Sequence, residues 1–245
     1  MLKNLPYLNP DEINFYYDQL NLEELEQVQT KKTFEISFAG PKFSKTFETD
    51  KKNISVYKKL DSIIEGLSYH NQIATSRPIS DINWDSPGFV FENVKATKVF
   101  FPKSVIGEIY GLNHLVVWVA NPDYSTLSTE RWQFTGTFLY LIETAYDKGA
   151  YQTTLSGCSA LQAVSNIVKG ENILKKNWDE PLGRNNNKHP LQKLESIGGI
   201  VIGDRQIETI YRKRYSTDEQ CFTYEGVEYR CNDLLGYPLF IDAKY

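Results

Sequence analysis

Apolar and polar positions follow several distinct rhythms along this chain. Val56, Leu60, Ile63, Ile64 and Leu67 recur at helical spacing and predict an amphipathic helix ending near Gly66. Residues 9–29 also read as helix: Asn9 can cap it, Pro10 suits the first turn, and Asp11 and Glu12 favour the positive helix end. Thr33–Phe38 alternates, with Phe34, Ile36 and Phe38 on one face, and predicts a strand. Val94–Phe101 and Ile197–Ile202 are strand-like, and Leu115–Ala120 (LVVWVA) is wholly apolar, as expected of a strand buried on both faces. Cys221–Cys231 predicts a hairpin turning at Glu225-Gly226, with its two cysteines facing each other across the strands.

The longest apolar stretch runs from Ser128 to Val168. Trp132, Leu139, Ile142 and Tyr146 form one stripe at helical spacing, while Phe134, Phe138, Leu141 and Ala145 fill the opposite side. With Ser128 as N-cap and Gly149 just past the end, the pattern predicts a central helix buried on several sides. A second helix starts after the turn at Gly157 and Cys158. Polar segments at Ser68–Pro87 and Asn177–Pro190 read as loops, the first long enough to suggest a role.

Composition narrows the classes. The 245 residues are 41% hydrophobic and 13% aromatic, enough to bury a sizeable core. A net charge of −4 gives no reason to expect nucleic-acid binding. Three cysteines and three scattered histidines support neither a disulfide framework nor a metal site. No leader pattern and no membrane-length apolar run are visible, so the expectation is a cytoplasmic protein with no membrane partner.

Candidate chemistry is sparse. Backbone N–H groups at the helix start after Gly157 can hold an anion or an electron-rich ring edge. Cys158 could instead be a nucleophile favoured by that helix end; the plain alternative is a small-residue turn. Arg212, Lys213 and Arg214 suit a phosphate, or form a solvated basic turn. Lys42, Ser44 and Lys45 make a second basic cluster.

The order of these features resembles the nitroreductase family of flavoproteins. KFSK at 42–45 is similar to an early Arg-x-Ser-x-Arg/Lys segment, with Lys in place of the first Arg and a shorter spacing. Ser68, Asn71 and Gln72 stand where that family has a Ser/Thr-rich loop with Asn and Gln, though the Pro-Trp that usually follows is missing. Leu115–Ala120, Gly136, Ala145, Gly149 and Ser156-Gly157 match its buried strand, long helix and glycine turn; IGGIVIGD at 197–204 and YRKRYS at 211–216 match its last strand and phosphate segment. The resemblance implies an α+β fold, an antiparallel sheet covered by helices around a central buried helix, assembled as a homodimer. Residues 1–30 would be a helical extension, 31–216 the nitroreductase-like domain and 217–245 a C-terminal hairpin and tail.

By the same resemblance the cofactor is FMN. Arg212 and Arg214 would bind its phosphate. Lys42, Ser44 and Lys45 would meet phosphate, ribityl or pyrimidine atoms; Asn71 would bond the pyrimidine edge. Backbone at Ser156 and Gly157 would approach N5. The implied activity is hydride transfer from NAD(P)H to a nitroaromatic, quinone or similar acceptor, with the flavin doing the chemistry and no catalytic side chain visible. Two rival readings stay open: a cysteine-dependent transferase or hydrolase using Cys158, and a non-enzymatic binding or assembly protein using its aromatic residues.

Overall fold

The computed structural model describes residues 5, 7–20, 54–78, 87–106, 112–127, 136–146, 160–169, 187–216 and 220–244. The chain divides into two compact units, Asn9–Ile73 and Met1–Leu8 with Ala74–Tyr245. In the smaller, helix α1 (Pro10–Gln19) starts as expected, the Asn9 side chain accepting from Glu12 N at 3.1 Å. Helix α2 (Val56–Tyr69), capped by Ser55, buries Leu60, Ile63 and Ile64 and runs past Gly66. Lys59 ties the two helices, donating to Asn14 Oδ1 at 2.8 Å.

The larger unit is mostly β. Its strands are β1 (Tyr7–Leu8), β3 (Phe89–Pro102), β4 (Leu112–Ala120), β5 (Thr137–Tyr146), β6 (Ile200–Ser216), β7 (Gln220–Tyr224) and β8 (Val227–Lys244). The two-residue β2 (Ile73–Ala74) stands at the border of the units. Among the described residues, two short helices, α3 (Ala160–Lys169) and α4 (Pro190–Ser196), follow β5. Pairing runs β3 to β4, β4 to β5, β5 to β8, β8 to β6 and β6 back to β3, so five strands close a barrel. Of these five seams, β5–β8 is parallel and the other four are antiparallel.

This overturns the α+β, nitroreductase-like expectation. The predicted central helix is β5 over Thr137–Tyr146, a barrel strand. Its neighbours explain the misreading. Leu139 and Leu141 point into the barrel, with Val90, Val116, Trp118, Ile207, Tyr211, Leu234 and Ile241 from the other strands. Phe138, Tyr140 and Ile142 point outward beneath Leu161, Val164 and Ile167 of α3 and Leu194 of α4. A strand covered on both faces has no polar face, so period-two alternation vanishes.

Other expectations hold in detail. β4 is buried on both faces. The β7–β8 hairpin turns at Glu225 and Gly226, both at positive φ (49° and 79°), as a two-residue loop requires. Its cysteines, however, do not face each other: Cys221 pairs with Arg230 and Cys231 with Gln220, which places the two thiols on opposite faces of the ribbon. Both are free. The end of the chain is no appendage, because β8 pairs with β1, β5, β6 and β7.

Candidate functional site: the two ends of the barrel

The barrel's ends differ in kind. One is plugged by Arg77, from the polar stretch after α2. Its Nε donates to both carboxylate oxygens of Glu92 at 3.2 and 3.1 Å, and Nη2 lies 3.0 Å from Oε2. Nη1 donates to the carbonyls of Thr137 (2.9 Å), Ala120 (3.2 Å) and Asn121 (3.4 Å). Tyr211 adds its hydroxyl to Glu92 Oε1 at 2.8 Å, and Thr137 Oγ1 donates to the Pro78 carbonyl. Burial, then the neighbouring Glu92, holds the Tyr211 phenol well above its ordinary range, so it stays a donor. The planar guanidinium suits this post because it can serve one carboxylate and several carbonyls at once.

The other end is open. Lys98, Phe100, Trp118, Ile202, Gly203, Asp204, Arg205 and Ala243 line a cavity of about 560 Å³. Its rim is shaped by a bulge: Lys98 pairs with Gly203 and Val99 with Val201, so Ile202 is an extra residue and Gly203 takes φ 139°. Ile202 is consequently 60% exposed. Asp204 is turned to the outer side and neutralised there. Thr97 Oγ1 donates to it at 2.7 Å and Lys95 pairs with it at 2.8 Å, which holds its carboxyl below the usual range.

Deeper in this mouth, Trp118 Nε1 donates to Glu143. Burial pushes the Glu143 carboxyl above its ordinary range, against the opposing pull of that hydrogen bond, Lys98 and His114. The Lys98 ammonium lies over the Trp118 indole, 5.0 Å from the ring centroid, and 3.8 Å from Glu143 Oε2. Phe100 and His114 pack ring to ring at 5.7 Å. The mouth therefore offers apolar walls, an aromatic floor and two cations, Lys98 and Arg205.

A second polar cluster lies outside the barrel wall. Lys193 of α4 is fully buried, and burial lowers its ammonium to about 8. Burial likewise raises the Cys231 thiol to about 12. His189 caps α4 and meets the Tyr124 hydroxyl at 3.1 Å. Buried Tyr140, its hydroxyl without a hydrogen bond, completes the group.

Of the residues the sequence singled out, Lys42, Ser44, Lys45, Ser156, Gly157 and Cys158 lie outside the described residues. Asn71 sits exposed in the turn after α2 at φ 54°. Arg212 and Arg214 are on strand β6, two residues apart, not on a turn; the Arg212 guanidinium lies 5.8 Å from the Tyr237 ring centroid. At the start of α3, which the sequence offered as a place for an anion or a ring edge, two N–H groups are already served: Asp233 Oδ2 accepts from Ala160 N at 3.0 Å and Leu161 N at 3.5 Å. A carboxylate already occupies that helix start, which leaves these two N–H groups no anion to receive from solvent.

Sequence reasoning missed Arg77, Glu92, Lys98, Trp118 and Glu143. The only signal was charge inside apolar strands: Glu143 in TFLYLIETAY, Lys98 in KATKVFF, Glu92 in FVFENV. Among the described residues no cluster of His, Cys, Asp or Glu could hold a metal, and no helix is long and apolar enough to cross a membrane. Small five-stranded barrels that take oligonucleotides use an open outer face of neighbouring strands; here that face of β4 and β5 is covered by α3 and α4. No family model, curated protein or solved structure matches the chain.

Proposed function

We propose that this protein is a binding protein that takes a small, largely apolar molecule into the open mouth of its barrel. The observation that carries the reading is the asymmetry of the ends: one is sealed by Arg77 and Glu92, the other opens on a cavity of about 560 Å³. That volume lies within the range of small-molecule sites, and barrel mouths are a preferred place for them. Mostly apolar walls with a few placed polar groups favour ligand binding over a surface for macromolecules.

The test is a ligand screen by thermal shift on the wild type and on Ala243→Phe, which fills the mouth. Compounds that raise the melting temperature of the wild type and fail on the filled variant support the reading. Compounds that stabilise both equally would place binding elsewhere and end it. FMN belongs in that screen. Flavin absorbance in the purified protein, with NAD(P)H oxidation, tests the oxidoreductase expectation that the sequence resemblance carries.

A further inference from the structure

Resting on that reading of the mouth, we infer that its ligand carries an anionic group, a carboxylate, sulfonate or phosphate on a flat apolar body, and that Lys98 recognises it. The inference comes from how closely the cations at the two ends are matched. At the plugged end every interaction of Arg77 is matched to Glu92 or a carbonyl oxygen within 3.4 Å. At the open end the match is looser. The Lys98 ammonium, with three donors, is ion-paired to Glu143 Oε2 at 3.8 Å, a separation too long for a hydrogen bond.

Glu143 is itself engaged by the Trp118 indole N–H. Asp204, the one acid in the lining, is satisfied on the outer side by Lys95 and Thr97. Arg205 adds a second cation to the same lining. A Lys side chain that is 29% exposed at the lip of an apolar cavity, resting on an indole, is therefore placed to meet an acceptor entering from solvent. The body of such a ligand would lie against Phe100 and Ile202, and its charge would reach Lys98.

A matched pair of fluorescent probes tests this. Anilinonaphthalene sulfonate is anionic; N-phenylnaphthylamine has the same rings without the sulfonate. The wild type is expected to bind the sulfonate at least ~10-fold more tightly, the size of one charge-assisted hydrogen bond. Lys98→Met should abolish the preference while keeping the neutral probe's affinity, and Lys98→Arg should restore it. Competition by Ala243→Phe locates both probes in the mouth. Equal affinities in the wild type, or an unchanged preference in Lys98→Met, would overturn the inference and leave the mouth as a neutral-ligand site. Failure of both probes to bind the mouth would overturn the binding reading itself.

Discussion

Arg77 and Glu92 show how much one buried pair can decide. Each is costly to bury alone and tolerable only because the other is present with its hydrogen bonds complete. Arg77→Met strands Glu92 and Tyr211 inside the barrel, and a loss of about 3–5 kcal/mol is expected by urea denaturation; a loss below ~1 kcal/mol would show that the plug is not structural. Lys193 shows burial acting on a titration. Its ammonium, lowered to about 8 from 10.5, contributes stability that is present above 10.5 and lost as pH falls through about 8. The difference is about 3 kcal/mol. Lys193→Met should lack that dependence, so the stability gained by the wild type between pH 7 and 10.5 should shrink in the variant. Neither role was legible in sequence. Arg77 sits in a stretch without periodicity, and Lys193 follows a histidine cap whose helix is only seven residues long.

At the scale of elements, the chain announced itself best where one face stays wet. Helix α2 alternates buried and exposed residues and was readable from spacing. The β7–β8 hairpin has a polar side and a Glu-Gly turn, and it too was readable. β5 was not, because apolar residues on both faces imitate a buried helix, and the glycine and serine that flank it imitate caps. The distinguishing cue was the density of aromatic residues in TFLYLIETAY, a mild strand preference that the stripe at 139, 142 and 146 outweighed. The β5–β8 seam carries a sharp test. Gly236 lies opposite Leu141, and a Cβ there would stand 2.5 Å from Tyr211 Cδ2 and 3.0 Å from Leu141 Cδ2. Gly236→Ala should cost about 1–3 kcal/mol in thermal or urea unfolding; a neutral result would mean that the seam has slack.

For the molecule as a whole, the ring could not be read from local patterns, since it depends on which strand meets which across long stretches of chain. β3 pairs with β6 about a hundred residues later, and β5 meets β8 only after the chain has passed through α3, α4, β6 and β7. The mouth inherits this dependence: Lys98, Trp118, Arg205 and Ala243 come from four strands, so their proximity follows closure and no local motif reports it. Folding should accordingly fall in the millisecond-to-second range of non-local topologies. Stopped-flow tryptophan fluorescence checks this, and single-phase microsecond refolding would contradict it.

The parallel seam also has a meaning during biosynthesis. β8 is the last of the eight strands to leave the ribosome, and it alone joins β5 to β6. At cellular elongation rates, on the order of ten seconds separate the synthesis of β5 from that of β8. Through that interval the nascent sheet presents an unpaired, largely apolar strand, open to wrong partners. The length of β8 and its four sets of strand contacts make closure a single late event that converts an aggregation-prone sheet into a closed ring of strands.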